Sequence, residues 1–146
     1  IMRLQNIARD YGIESERLIF LPYVSPWDHI ARAGMFDLYL DTFYAGAHTT
    51  FAESLWMNVP GITLIGETMS SRVAYSMLNS VDMSVLAVRT REQYKELAIQ
   101  LYEHPELLKL DKAKMERTKA TSSLFNMRKQ AETIEAFVKE QIALRK

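Results

Sequence analysis

An α/β fold, a Rossmann-like parallel sheet with helices on both faces, is predicted by three observations. Short apolar runs alternate four times with segments of helical periodicity, the connections are brief, and turn or cap residues bound the runs. From Thr90 onward the alternation stops and the pattern becomes wholly helical. One domain spanning residues 1–146 accommodates both parts, with residues 90–146 as its all-helical end, and no repeat, low-complexity tract or linker divides it.

Taken in order, Ile1, Leu4, Ile7 and Ala8 share one helical face, and Gly12 stands where a helix C-cap is expected. The chain opens inside that pattern with no cap ahead of it, so a longer polypeptide is expected. The run RLIFLPYV (Arg17 to Val24) reads as a buried first strand. Ser25 is placed to cap the next helix, with Pro26 at its first position, Asp28 completing an approximate capping box and Gly34 ending it. MFDLYLD (Met35 to Asp41) is predicted as the second strand, VPGITLIG (Val59 to Gly66) as the third and SVLAV (Ser84 to Val88) as the fourth. Ser71 to Val81 reads as a helix between the last two. In the helical end, Tyr94, Leu97, Ala98 and Leu101 form one stripe and Ala131, Ile134, Phe137 and Val138 another. His104-Pro105 separates the first of these helices from Glu106 to Lys119, and TSSLFN separates that from Asn126 to Lys146.

Composition removes several classes of function. Eighteen basic and eighteen acidic side chains cancel, which leaves no electrostatic footprint for nucleic acid or an anionic membrane. No run reaches the ~20 apolar residues of a bilayer span, and a soluble, cytoplasmic protein is expected. The absence of cysteine rules out disulfides, thiolate metal sites and a thiol nucleophile. Three histidines in separate contexts give no zinc spacing, so no metal and no cofactor is predicted. A nucleophile elbow, a Walker lysine loop and a dinucleotide fingerprint are all missing.

The stretch YAGAHTTFAESLW (Tyr44 to Trp56) follows the second strand, at the carboxyl edge where an open parallel sheet binds ligands. Gly46 between alanines lets backbone approach a bulky anion, and Thr49 and Thr50 bring hydroxyls and N–H groups to a helix start. Glu53, one turn on, suits a ribose diol. The same letters also spell a plain helix start, with threonine as N-cap and Glu53 as its capping-box partner. His29 and Arg32 on the preceding helix present a similar choice between base and phosphate contacts and a solvated face. Trp27 is expected to pack, GETMSSR (Gly66 to Arg72) to cap a helix, and the eight methionines to fill core gaps.

Together, RLIFLPYVSPWDHIAR, DLYLDTFYAGAHTTFAESLWMNVPGITLIGETMSSRVAYSML and SSLFN resemble the C-terminal half of the catalytic region of O-GlcNAc transferases and SPINDLY-type enzymes, glycosyltransferase family 41. The resemblance implies the donor-binding lobe of a two-lobed GT-B enzyme that moves a sugar, with inversion, from a nucleotide to a Ser or Thr hydroxyl. It implies that His29 packs on uracil, that the backbone near Val24 meets the base edge, and that Arg32 lies near the phosphates. Thr49 and Thr50, with His48 beside them, would hold the diphosphate and Glu53 the ribose. Animal members carry aspartate where Glu53 stands, and some relatives carry a lysine where Pro26 stands; SPINDLY-type relatives use GDP-fucose. The donor implied is a UDP-sugar, UDP-GlcNAc first. The acceptor protein would be engaged by an N-terminal lobe and tetratricopeptide repeats absent from this chain, so the chain alone should be inactive. A nucleotide-sugar epimerase-like lobe and a non-catalytic interaction module are the alternatives.

Overall fold

In the computed structural model, residues 1–144 are described, and the final residues 145 and 146 of the last expected helix lie outside them. Helix α1 (Met2–Asp10) is followed by α2 (Pro26–Ala33), strand β1 (Tyr39–Leu40), α3 (Thr49–Trp56), β2 (Gly61–Leu64), α4 (Val73–Ser80), β3 (Ala87–Val88), and then α5 (Arg91–Glu103), α6 (Pro105–Thr118) and α7 (Met127–Ala143). Short 3₁₀ turns occupy Ser15–Arg17, Met69–Ser71 and Ser84–Leu86.

The strands make a parallel sheet in the order β1-β2-β3, with Tyr39 opposite Gly61 and Leu40 opposite Ile62, then Thr63 opposite Ala87 and Leu64 opposite Val88. Ile62 and Thr63 point to opposite faces of β2 and both are fully buried, so helices cover the sheet on both sides as predicted. Phe51 and Leu55 of α3, Leu78 of α4, and Tyr94 and Leu101 of α5 complete the core around Ile62. Met115 of α6 joins this core, and Leu97 and Ala98 pack against the core along the expected stripe.

Several local signals form as read. Ser25 Oγ accepts the Asp28 N–H at 3.2 Å with Pro26 at the first helical position, and Gly34 is the C-cap of α2. Gly12 takes φ of 71°, and the N–H groups of Gly12 and Ile13 bond back to the carbonyls of Arg9 and Ala8, a Schellman ending for α1. Thr68 caps the 3₁₀ turn before α4 in a reciprocal box with Ser71.

Other expectations need correction. Arg17 to Val24 is not a strand: after the Ser15–Arg17 turn it has no regular secondary structure and no ladder partner among the described residues. Apolar side chains favour a strand only where a neighbour supplies the hydrogen bonds, and Pro22 has no N–H to give. Its carbonyl is instead taken by Arg32 Nη1 at 2.9 Å. The sheet among the described residues therefore has three strands rather than four. β1 begins four residues later than expected because the turn of α2 continues, with Met35 and Phe36 N–H groups bonding to Arg32 and Ala33 carbonyls. The expected fourth strand shortens to Ala87–Val88: Asp82 takes φ of 58°, and Ser84–Leu86 forms a 3₁₀ turn before β3. Trp27 does not pack; it is 81% exposed. Met83 and Met115 fill the core, whereas Met2, Met35, Met69 and Met127 stand in solvent. Helix α7 keeps its apolar stripe uncovered and buries no residue on this domain.

Candidate functional site

Both β1 and β2 end at one edge of the sheet, and the chain leaving β1 turns through Thr42–Ala47 into α3. Thr42 Oγ1 donates to the Ala45 carbonyl at 2.6 Å, and the Asp41 carboxylate accepts the Thr42 and Ala47 N–H groups, so the loop is folded on itself. His48 then precedes the first turn with φ of −108° and ψ of −90° and supplies no side-chain cap. Glu53 makes no capping box with Thr50, because Thr50 lies inside the helix rather than before it. The plain helix-start reading of these residues is therefore wrong in its detail. The leading N–H groups of α3 keep their positive partial charge without a side-chain cap to answer it.

In front of that helix start lies an open cleft of about 480 Å³. Leu21, Pro22, Tyr23 and Val24 form its floor, His29 and Arg32 of α2 one wall, and Thr49, Thr50 and Glu53 of α3 the other. Six of the seven sequence-predicted site residues thus meet in one place: Val24, His29, Arg32, Thr49, Thr50 and Glu53. His48 does not line the cleft; it is exposed at the helix cap.

Hydrogen bonds define the orientation of the walls. Arg32 Nη2 lies 3.1 Å from His29 Nδ1, and since a guanidinium only donates, Nδ1 accepts and a neutral imidazole carries its proton on Nε2. Nε2 faces Glu53 Oε2 at 3.6 Å, linking α2 to α3 across the cleft. Thr50 Oγ1 is held 3.2 Å from the phenol of Tyr39. The sequence reading did not single out Tyr39 or the floor residues before Val24. An aromatic in a strand reads as core, and indeed the Tyr39 ring packs edge-on against Phe51 at 5.3 Å while only its hydroxyl reaches the site.

The arrangement offers an apolar floor and a flat ring, then a carboxylate, then hydroxyls and amide donors at a positive helix end. Those groups match an aromatic base, a diol and an anion in sequence. A second cleft of about 430 Å³ runs along β3 and α5, and Gln93 Oε1 in its wall is occupied by the Arg89 and Thr90 N–H groups. Among the described residues, no group of three His, Cys, Asp or Glu side chains is arranged to hold a metal ion, and no helix is long and apolar enough to cross a membrane.

Comparison with known proteins gives one consistent answer. The chain is 29% identical over 132 residues to the UDP-N-acetylglucosamine–peptide N-acetylglucosaminyltransferase of Caenorhabditis elegans, covering 90% of this chain and 12% of that protein. A probable transferase of the same description, SEC of Arabidopsis thaliana, is 32% identical over 136 residues, 92% of this chain and 14% of its own length. The Petunia hybrida protein SPINDLY, described as a probable enzyme of that kind, is 39% identical over 101 residues, 68% of this chain and 11% of its own. A solved structure of a mutant Thermobaculum terrenum O-GlcNAc transferase superimposes with a TM-score of 0.82 at 29% identity, covering 93% of this chain and 26% of that one. The chain thus spans only about an eighth of the curated relatives it matches. The profile of glycosyl transferase family 41 matches residues 2–134, and the chain belongs to that family.

Proposed function

We propose that this chain is the donor-binding lobe of a protein O-glycosyltransferase, holding a UDP-sugar, UDP-GlcNAc by preference, for inverting transfer to a Ser or Thr hydroxyl. The observation that carries this reading is the cleft itself: an uncapped helix start with two threonines, and a carboxylate one turn deeper facing an imidazole. Uracil lies on His29 above the Leu21–Val24 floor and meets backbone near Val24. The ribose diol donates to Glu53 and takes over its contact with His29. The diphosphate sits against the Thr49 and Thr50 hydroxyls and the N–H groups of α3, with His48 alongside and Arg32 contributing positive charge. As the bond to the sugar breaks, negative charge grows on the departing diphosphate, and these fixed donors stabilise it. Charge on the anion is met by amides and a guanidinium, so binding needs no metal ion and no further cofactor.

Transfer needs donor and acceptor aligned in one cleft, and half a cleft cannot align them. The acceptor protein is engaged by parts of the full-length enzyme outside this chain, which by itself turns over nothing, and the enzyme works in the cytoplasm. Calorimetric titration tests the donor assignment. UDP binds the wild-type chain in the presence of EDTA, UDP-GlcNAc competes with it, and Thr50→Ala weakens both. A wild-type chain that takes up no UDP at millimolar concentration defeats the reading.

A further inference from the structure

Asp41 does not line the cleft, yet it bonds the loop that leads into α3, strand β2 and helix α5. Its side chain is buried, with the residue only 4% exposed. Oδ1 accepts the N–H groups of Thr42 at 2.9 Å and Ala47 at 2.7 Å, so a single oxygen fastens both ends of the loop that leads into α3. Oδ2 accepts the Thr63 hydroxyl at 2.7 Å, which anchors the loop to β2. The Asp41 carbonyl takes the Tyr94 hydroxyl at 2.9 Å, which ties the same residue to α5. Gly46 closes the arrangement: its N–H donates to the Ser70 carbonyl at 3.0 Å, and a Cβ there would stand 3.0 Å from Asp41 Oδ2 and 3.2 Å from that carbonyl.

From these contacts we propose that Asp41 is the positioning residue for the diphosphate end of the cleft. Its carboxylate closes the Thr42–Ala47 loop and so holds the His48–Thr50 backbone at the bearing an anion requires. The ligand's identity rests on the donor-lobe reading; the role of Asp41 goes beyond it. The side-chain chemistry is specific. Two N–H groups converge on one point and need an oxygen with two lone pairs, while Thr63 needs only some polar partner, because a hydroxyl both donates and accepts. Asparagine meets both demands, with Oδ1 toward the amides and Nδ2 toward Thr63. Alanine meets neither and leaves two partly buried amides and the buried Thr63 hydroxyl without that partner.

NMR titration of the ¹⁵N-labelled chain with UDP and with uridine, which lacks the phosphates, tests this. Asp41→Ala weakens UDP about tenfold, the scale of one or two lost hydrogen bonds, while uridine affinity moves by less than about twofold. Asp41→Asn returns UDP to within about threefold of wild type. Gly46→Ala keeps the acid but crowds it, and gives a smaller loss with the same preference for UDP over uridine; it carries the test alone if Asp41→Ala fails to fold. Unchanged UDP affinity, or equal loss of UDP and uridine, overturns the assignment. A wild-type chain that binds neither UDP nor inorganic pyrophosphate defeats the donor reading and this proposal together. Wild-type binding with an unchanged variant defeats this proposal alone.

Discussion

Glu53→Ala is the substitution that most directly interrogates the ribose assignment. In the free chain, the Glu53 carboxylate is partly exposed and faces the His29 imidazole at 3.6 Å, a separation too long for a strong hydrogen bond. Removing it therefore costs the fold little, a few tenths of a kcal/mol at most, the usual scale for a weak surface pair. With UDP bound, two ribose hydroxyls would donate to a charged acceptor, each bond contributing about 1.5–3 kcal/mol. Part of that is offset by stripping water from the carboxylate, so a net loss of about 2 kcal/mol, roughly thirtyfold in Kd, is expected for Glu53→Ala. The assay is a four-way comparison by calorimetry, wild type and variant against UDP and 2′,3′-dideoxy-UDP. If Glu53 holds the diol, the variant loses affinity for UDP only, and dideoxy-UDP binds both proteins alike, giving a coupling energy close to the full loss. Parallel losses for the two ligands would refute the diol contact even if UDP binding itself is impaired.

Further outcomes follow from burial and charge elsewhere. Leu78→Ala, at a fully buried position between α4 and the sheet, is expected to lower stability by about 2–5 kcal/mol in urea denaturation. Phe137→Ser on α7, where the ring is 60% exposed, should change the stability of this chain by less than about 0.5 kcal/mol by the same measurement. Burial, and then the nearby Asp41, push the Tyr94 phenol up to about 12. Its folded-state value exceeds the ordinary 10, so its contribution is complete below pH 10 and fades as pH rises toward 12. Urea midpoints across that window should fall, and Tyr94→Phe should flatten the fall; an equal slope in both proteins would show that Tyr94 does not drive it.

The sequence and the structure agree at several signals carried by neighbours in the chain. Ser25, Pro26 and Asp28 start α2 through contacts three residues apart, and Gly12 ends α1 through carbonyls that the helix itself presents. The candidate site was legible for the same reason: Thr49, Thr50 and Glu53 share a helix, as do His29 and Arg32. What joins the two sets is the register of β1 on β2 and the packing of α2 on α3, and no local pattern states either.

Arg17 to Val24 shows where such reading breaks down. Its apolar letters satisfy the strand template, but a template cannot supply the partner whose carbonyls and amides make a strand, and among the described residues β1 has only β2 beside it. Without a ladder, the segment is fixed by a side chain instead, Arg32 reaching back to the Pro22 carbonyl. Arg32 thereby acquires a second duty that its charge did not advertise: it holds the floor of the cleft in place and orients His29 at once. Asp41 presents the converse case. A lone aspartate at a strand end reads as turn punctuation, and only the fold discloses that it gathers donors from Thr42, Ala47 and Thr63. Arg32 reaches across to Pro22, and Asp41 to Thr63 on the neighbouring strand; contacts between segments of this kind are what local letters do not state.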